Sequence, residues 1–311
     1  MKSNYGSLNA EDLSYRLDMD ISEVLSITEQ FPLPTMAYRL VGEEERLQFY
    51  RTVVEYLKLM EHTCGIELEL ENWNSEWRKV LDRVRAFGPS IDNLRPNYFQ
   101  YRTLRLDGEF VFTHDPLFEH HAYIIFLRIL FSKYLSGQSK IVDLGCGPGT
   151  SLFLLNQMEI GTELVGADCI KEAQETVNII GRATTSNIRG LHFNMKTLEG
   201  GEALNLAGAA VITLHAMEQL GKDYRNLLDF LIAAGPSIVL HLEPLEDLYD
   251  SGCLFDKLAL THHRQRGYLT GYLTNVRKLA AEKRIEIFAE KRLKFGSTWH
   301  EAYSLIVWRP V

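Results

Sequence analysis

Residues 141–151, IVDLGCGPGTS, decide how this sequence folds. The apolar run ends at Leu144, and the glycines that follow turn the chain into a helical pattern. Glycine reaches positive φ at little steric cost, and the N-terminus of the following helix offers N–H groups that lack an intrahelical partner. Such a turn either approaches a ligand closely or serves only as a structural turn.

Two acidic residues favour a ligand at this turn. Asp143 lies two residues before Gly145, the first glycine. Asp168 ends the next apolar run, LVGAD, about twenty residues later, where a carboxylate can accept hydrogen bonds from the hydroxyl groups of a ribose. The spacing therefore predicts a site for a ligand that contains a nucleoside.

The glycine turn belongs to the first of five strand-like runs that alternate with helical patterns after Gly137. These runs are KIVDLG, ELVGAD, IRGLHF, AAVITLH and SIVLHLEP. The alternation predicts a parallel, doubly wound sheet. We expect one long amphipathic helix over residues 255–282 to follow. Two antiparallel strands, IEIFAEKRLKF and EAYSLIVWR, with Gly296 and Ser297 between them, would then close an edge of the sheet.

Residues 1–136 have a mostly helical pattern, and we place the boundary between the two parts near residue 136. We expect one helix over residues 42–60 and another that starts at Asn74 or Ser75 and ends near residue 85. The dipeptide Asp107–Gly108 predicts a hairpin within residues 101–113. A further helix is expected to begin at Asp115–Pro116 and to run to about residue 134.

The composition of the 311 residues limits the functional class. Hydrophobic residues make up 46% and charged residues 24%, which excludes a disordered chain or a coiled-coil rod. Lys and Arg number 33 and Asp and Glu 41, so the net charge is 33 − 41 = −8, which makes a nucleic-acid partner unlikely. The four cysteines form no CxxC pair, so we expect no metal site. The first residues show no apolar signal segment and no stretch could span a bilayer, so we expect a cytoplasmic protein without a membrane partner.

With these features the chain resembles the class I, Rossmann-like methyltransferases that depend on S-adenosylmethionine (SAM). The shared motif is (V/L)DLGCGxG at residues 142–149, followed by Asp168, and the resemblance covers residues 138–311. It implies an α/β fold: a doubly wound, seven-stranded Rossmann-like methyltransferase sheet with a mainly helical N-terminal cap. Residues 1–136 would then form the cap or substrate region, and residues 137–311 the domain that binds SAM as cofactor.

The resemblance also implies which residues hold the cofactor. Gly145, Cys146 and Gly147 would line its methionine and ribose parts. Asp143 would orient the loop or meet the amino group, and Asp168 would hold the ribose hydroxyl groups.

The adenine contacts are implied by the segments after the second and third strands. Cys169 would lie beside the adenine ring. Asn194 stands where such enzymes usually present a carboxylate, and its amide oxygen can still accept a hydrogen bond from the adenine amine. The backbone N–H of Met195 could meet adenine N1, and His215 would contact the carboxylate or sulfonium region of SAM.

The chemistry is expected at the carboxyl ends of the fourth and fifth strands, which lie over the methyl group. Three candidate catalytic residues there are His215, Glu218 and Glu243. Carboxylates near a sulfonium suit an acceptor that is cationic or that donates hydrogen bonds. The sequence therefore favours methyl transfer to a small polar molecule, with N-methylation of an amine, a guanidine or an amino-acid derivative preferred and specialised metabolism as one setting.

Several alternatives stay open. The chain could be a non-catalytic regulatory or assembly protein with the same fold, or a protein or RNA methyltransferase, and a homo-oligomer is compatible with the sequence. The polar stretch THHRQRGYLTGYL, residues 261–273, either binds a substrate anion or forms a solvated helix face. Tyr98, Tyr101 and Arg102 either close over SAM or pack against the catalytic domain.

Overall fold

The computed structural model describes residues 5–60 and 66–311. Its strands are β1 (Tyr5–Ser7), β2 (Ala37–Leu40), β3 (Thr103–Leu106), β4 (Glu109–Thr113), β5 (Lys140–Leu144), β6 (Glu163–Asp168), β7 (Ile188–His192), β8 (Ala210–Leu214), β9 (Ile238–Glu243), β10 (Ile285–Arg292), β11 (Phe295–Ser297) and β12 (Ser304–Pro310). Its α-helices are α1 (Ala10–Leu17), α2 (Ile21–Gln30), α3 (Glu43–Met60), α4 (Ile66–Phe87), α5 (Ile91–Leu94), α6 (Phe118–Leu135), α7 (Thr150–Gln157), α8 (Lys171–Thr184), α9 (Arg225–Ala234), α10 (Leu254–Arg266) and α11 (Tyr272–Ala281).

The larger sheet has seven strands in the order β10-β12-β9-β8-β5-β6-β7. The five runs predicted from the sequence form β5 to β9, and these five strands pair with one another in parallel, so the doubly wound sheet is confirmed. The chain order reverses between β5 and β8. A crevice opens at such a switch point, beyond the carboxyl ends of the strands.

The last two long strands form the expected antiparallel pair at one edge of this sheet. β12 runs antiparallel to both β9 and β10, and therefore inserts between them. Gly296 and Ser297 do not simply connect the pair, because they belong to β11, which pairs with β3 of a second sheet. No pattern in the sequence predicts this pairing, since β11 is only three residues long.

The second sheet has the order β1-β2-β4-β3-β11 and lies mainly in the N-terminal part. The predicted hairpin joins β3 to β4. Its two turn residues, Asp107 and Gly108, both have positive φ, at 53° and 82°, as a type I′ turn requires. The N-terminal part therefore contains a small sheet besides its helices.

Two helix predictions for the N-terminal part need correction. α4 begins at Ile66 and passes through Asn74 and Ser75, so neither residue caps it. Asn74 can occupy the helix interior because the good helix formers Glu and Leu precede it and the apolar face of the helix is continuous. α6 begins at Phe118 rather than at Asp115–Pro116, and the Asp115 carboxylate instead accepts a hydrogen bond from the Leu117 N–H group at 2.8 Å.

The helix expected over residues 42–60 is confirmed as α3, but only some of its apolar residues are buried. Val53 and Leu57 are buried, whereas Leu47 is 60% and Val54 is 37% exposed. The buried stripe is therefore narrower than the pattern of apolar residues. Contacts with Phe110 and Phe255 decide which side of α3 faces inward.

The long helix predicted over residues 255–282 is wrong. The chain forms α10 and α11, and the break between them lies at Gly267 and Gly271, which have φ values of 65° and 69°. A glycine with positive φ commonly ends an α-helix, as Gly267 ends α10. The polar stretch of residues 261–273 thus bridges two helices. His262 and His263 are buried rather than on a solvated face.

Helices cover both faces of the large sheet. α6 is the most deeply buried of them, and its side chains join the same core cluster as those of α7 and α8. The opposite face is covered by α9 and α11. No helix in residues 5–60 and 66–311 is long and apolar enough to cross a membrane.

Candidate functional site

A cavity of about 290 Å³ lies at the carboxyl ends of β5, β6 and β8, where the sheet order reverses. The walls include every residue that the sequence assigned to the cofactor: Asp143, Gly145, Cys146, Gly147, Asp168, Cys169, Asn194, Met195 and His215. The fold brings these residues together because parallel strands end at the same edge of the sheet.

Two glycines of the turn occupy positions at which a Cβ atom would clash with a neighbouring side chain. A Cβ atom on Gly145 would lie 2.5 Å from Cβ of Ala216, and one on Gly147 would lie 2.9 Å from Cζ2 of Trp77. Both residues also have positive φ, at 72° and 50°. The close approach keeps the backbone at the cavity wall, where it can meet a ligand directly.

Asp143 lines the cavity and has one carboxylate oxygen without a hydrogen-bond partner. It is buried, its Oδ2 accepts a hydrogen bond from the Ser151 hydroxyl, and its Oδ1 has no partner. Burial raises the pKa of the Asp143 carboxyl to about 7. A buried polar atom without a partner is costly, so a cationic or hydrogen-bond-donating ligand at this point would be stabilised.

Asp168 is tied to the glycine turn. Its Oδ2 accepts a hydrogen bond from the Gly147 N–H group at 2.9 Å, and its Oδ1 accepts one from the Ile170 N–H group at 2.8 Å. Burial raises the pKa of the Asp168 carboxyl, and these backbone N–H groups oppose that rise. Each carboxylate oxygen has a second lone pair, so Asp168 retains capacity to accept from a ribose diol.

Asn194 differs in one detail from its expected role. Its amide oxygen accepts hydrogen bonds from the N–H groups of Lys196, at 2.9 Å, and Thr197, at 3.2 Å. The two lone pairs of this oxygen are therefore already used by the local turn, so it is a poor acceptor for an adenine amine. Met195 and Cys169 line the cavity beside it.

His215 lines the cavity and has a ring nitrogen without a hydrogen-bond partner. It follows β8 with a φ of 55°, a left-handed conformation that is uncommon outside glycine and that concentrates at functional sites. Its Nε2 is buried without a partner, and its Nδ1 lies 3.8 Å from Oε2 of Glu218. Burial alone would lower the pKa of His215, but the nearby carboxylates of Glu218, Glu243 and Glu119 outweigh it and raise the pKa.

Glu218 and Glu243 lie behind the cavity wall rather than in it. The Glu243 carboxylate accepts hydrogen bonds from the N–H groups of Ala216 (3.0 Å), Met217 (3.1 Å) and Glu218 (3.3 Å). It thereby holds the 3₁₀ turn Met217–Leu220 in place next to His215. Burial and the charge of Glu218 raise the pKa of Glu243 to about 7. The geometry gives Glu243 a positioning role, and of the three candidate catalytic residues only His215 lines the cavity.

Sequence reasoning missed an aromatic part of the wall. It consists of side chains from the N-terminal part: Trp73, Trp77, Phe99, His120 and Tyr123. Trp73 and Trp77 lie four residues apart in the run ELELENWNSEW, residues 67–77. That spacing puts both on one helix face and was the available signal. The Glu67, Glu69 and Glu71 side chains of the same run lie outside the described side chains.

Of the three residues expected either to close over SAM or to pack against the catalytic domain, Tyr98 lines the cavity, whereas Tyr101 and Arg102 do not. Other polar residues also lie away from the cavity. Asp247 accepts hydrogen bonds from the N–H and hydroxyl groups of Thr274 and so joins its loop to α11. His263 Nε2 contacts His300 Nδ1 at 3.0 Å inside the protein. In the described part of the chain no three His, Cys, Asp or Glu side chains are arranged to hold a metal ion, and Cys64 lies outside that part.

SAM fits the residues present. The positive charge of its amino group matches the unpaired Oδ1 of Asp143, and a ribose matches the remaining acceptor capacity of Asp168.

Comparisons with known proteins agree with this fold. No family model matches the chain. A ribosomal protein L11 methyltransferase of Acetivibrio thermocellus is 23% identical over 168 residues, which are 51% of this chain and 51% of that protein. The chain thus spans about half the length of this curated relative.

Two solved structures are similar in fold. The 16S rRNA methylase ArmA is 15% identical with a TM-score of 0.43, over 76% of this chain and 98% of that one. The methyltransferase domain of bacterial CtHen1-C is 16% identical with a TM-score of 0.43, over 60% of this chain and 96% of that one. The strand order, the glycine turn and the sequence match with a curated methyltransferase together show that the chain has the class I, Rossmann-like fold of the SAM-dependent methyltransferases.

Proposed function

We propose that the chain is a SAM-dependent methyltransferase that transfers a methyl group to a nitrogen atom of a small polar amine, guanidine or amino-acid derivative. One observation carries the proposal. The cavity at the switch point of the sheet is lined by Asp143 and His215, each with a buried polar atom that no protein group pairs. Buried polar atoms are almost always paired in folded proteins, so two unpaired ones in one cavity support a polar ligand there.

SAM supplies a methyl group that is already activated by its sulfonium. The protein must therefore align the acceptor and keep its nucleophilic nitrogen neutral. His215 is placed for the second task, because its free Nε2 can accept the proton that an ammonium group loses. The acceptor nitrogen then has the lone pair with which it forms the new bond to carbon.

The carboxylates near His215 make it a better base. Glu218 Oε2, at 3.8 Å from Nδ1, stabilises the charged ring that forms when Nε2 takes up a proton. Gln219 fixes Glu218 by donating a hydrogen bond from Nε2 to Oε1 at 3.0 Å. Because the pKa of His215 is raised, the ring holds a proton more readily than a free histidine does.

Thermal unfolding with SAM, S-adenosylhomocysteine and, as a control, NADH tests the cofactor. A ligand at a hundredfold excess over its Kd stabilises the folded state by about 2.7 kcal/mol. We expect the two adenosyl ligands to raise Tm by roughly 3–8 °C and NADH to leave it unchanged. A shift with NADH alone would contradict the proposal.

Turnover tests the reaction. Incubation with SAM and a panel of amines and guanidines should release S-adenosylhomocysteine and yield a product heavier by one methyl group in mass spectrometry. Cofactor binding without release from any acceptor class, proteins and RNA included, would instead identify a non-catalytic protein with this fold.

A further inference from the structure

Five aromatic rings form a continuous row along the cavity, from the glycine turn to His215. We call Trp77, Trp73, Tyr98, Phe99 and Tyr123 the aromatic wall. Their neighbouring ring centroids lie 5.3, 5.9, 4.6 and 5.7 Å apart in that order. Trp77 packs over Gly147 at one end. All five residues come from the N-terminal part of the chain.

The other end of the aromatic wall meets buried carboxylates. Tyr123 contacts the ring of His215, with centroids 5.8 Å apart, and His215 lies beside Glu218. Oε2 of Glu218 is buried and has no hydrogen-bond partner. Tyr123 also contacts the ring of Tyr303, with centroids 5.9 Å apart, and the hydroxyl group of Tyr303 donates to Oε1 of Glu119 at 3.3 Å.

Positive charge is scarce around the cavity. Among the described lining residues Lys196 is the one Lys or Arg, and its ammonium group lies 2.8 Å from Oδ2 of Asp223. His120 also lines the cavity, but burial lowers its pKa to about 3, so its ring is neutral. Aromatic faces and carboxylates together attract a cation, whereas the two groups that could attract an anion, Lys196 and His215, already lie beside the carboxylates of Asp223 and Glu218.

We propose that the aromatic wall, with Glu218 and Glu119 behind it, binds an alkylammonium group of the methyl acceptor. A cation over the faces of Trp and Tyr is attracted by the negative potential of the rings, and the attraction grows when water is excluded. Trp73 and Tyr98 meet at nearly a right angle, 89° between planes, so they form a corner that can surround a rounded cation from two sides. This inference rests on the proposed function, since it names the acceptor class for the same cavity.

Two other groups compete with an alkylammonium group as ligands of the aromatic wall: the sulfonium of SAM and a neutral planar acceptor. The sulfonium belongs at one end of the wall, the glycine turn or His215, whereas Trp73 and Tyr98 lie between these two ends. A neutral ring would gain nothing from the unpaired Oε2 of Glu218. The buried carboxylates therefore favour a separate cationic group in the acceptor.

Isothermal titration of the full chain with choline and with 3,3-dimethylbutan-1-ol, its uncharged carbon isostere, tests the inference. Each titration is run with and without saturating S-adenosylhomocysteine. We expect choline to bind at least tenfold more tightly than the isostere. Tyr98→Leu should lower the affinity for choline roughly tenfold and leave that for the isostere unchanged.

Tyr101→Leu is the matched control, because Tyr101 is a nearby tyrosine of similar exposure, 41% against 42% for Tyr98, that does not line the cavity. It should leave both affinities unchanged. Glu218→Gln should also weaken choline binding while sparing the isostere, and circular dichroism confirms that each variant is folded.

Equal affinities for choline and its isostere, or no binding of either, would overturn the inference. So would a Tyr98→Leu variant that weakens SAM relative to S-adenosylhomocysteine but leaves choline unaffected, because the aromatic wall would then serve the cofactor. If S-adenosylhomocysteine binds and choline shows no preference, the proposed function survives and only this inference fails. If choline binds and S-adenosylhomocysteine does not, the cation site stands and the proposed function fails.

Discussion

Asp143 and His215 show how single residues carry the site. In each residue one polar atom has a neighbour. Oδ2 of Asp143 accepts a hydrogen bond from the Ser151 hydroxyl, and Nδ1 of His215 lies near the carboxylate of Glu218. Both residues line the cavity, and Oδ1 of Asp143 and Nε2 of His215 are buried without a partner. An orphaned buried atom costs roughly 1–3 kcal/mol, so these two residues lower the stability of the free protein in a way that a ligand can reverse.

Replacement of Asp143 by Asn tests the charge at this position. The substitution keeps the size and removes the carboxylate, so we expect SAM to bind about 10- to 100-fold more weakly, as loss of a charge-assisted hydrogen bond implies. The pKa of Asp143 is about 7, so the carboxyl is increasingly protonated as pH falls below 7. Affinity of the wild type should therefore decrease from pH 7.5 to pH 5.5, a range in which the SAM amino group stays cationic.

Isothermal titration across that pH range measures both effects. The Asp143→Asn variant should show a flatter pH profile than the wild type. Glu202→Gln, at an exposed carboxylate that does not line the cavity, serves as the control and should behave as the wild type. An unchanged profile in Asp143→Asn would show that another group controls the pH dependence.

At the scale of elements, α4 closes one side of the site. It packs on α8, and its Val80, Leu81 and Val84 are buried. The ion pairs Arg78–Glu172 and Arg85–Glu175 also join the two helices, but three of these four side chains are at least 39% exposed. Exposed pairs contribute only about 0–1 kcal/mol, so apolar packing is the main force that holds α4 on the cofactor side.

A double-mutant cycle tests the contact between α4 and the glycine turn. Gly147→Ala should destabilise the fold by about 2–4 kcal/mol, because φ is positive and the new Cβ atom would lie 2.9 Å from Trp77. In a Trp77→Leu background the ring edge is gone, and we expect Gly147→Ala to cost about 1–2 kcal/mol. Urea unfolding of the four proteins measures the coupling.

Gly108→Ala is the control for backbone strain. Gly108 also has positive φ, at 82°, but a Cβ atom there would meet nothing within 4 Å. Its cost should add to that of Trp77→Leu without coupling. Simple additivity for Gly147→Ala as well would mean that Trp77 does not cover the turn.

At the scale of the whole molecule, the N-terminal part is built into the methyltransferase sheet rather than attached to it. α6 ends at Leu135, just before the predicted boundary, yet most of its residues are buried in the core shared with α7 and α8. β11 crosses in the other direction, because it pairs with β3 of the second sheet. The boundary near residue 136 therefore separates sequence patterns and not independent cores.

A fragment of residues 137–311 should not fold alone. It lacks Phe118, Ile125, Phe126, Ile129 and Leu130 of α6, all fully buried in the intact chain. Each such side chain contributes about 1.5–3 kcal/mol, so their sum is comparable to the total stability of a domain, about 5–15 kcal/mol. We expect a non-cooperative thermal transition by circular dichroism, with the intact chain as the control. A cooperative melt near that of the intact chain would establish residues 137–311 as an independent domain.

The sequence by itself determined the sheet, the glycine turn and the residues that surround the turn. These features follow from local rules: strand and helix periodicity, the demand of positive φ for glycine, and the convergence of parallel strands at one edge. The hairpin at Asp107–Gly108 was determined in the same way. In each case the signal that predicts the feature is a local pattern of residues in the sequence.

Only the tertiary structure decided what the N-terminal part brings to the site. Trp77 reaches Gly147, and Glu119 reaches Tyr303, across separations of 70 and more residues that no local pattern encodes. The tertiary structure likewise buries Glu243, whose carboxylate accepts hydrogen bonds from backbone N–H groups, and it buries His262 and His263 in the interior. Such contacts depend on how distant elements pack, because packing selects which of several apolar or polar faces points inward.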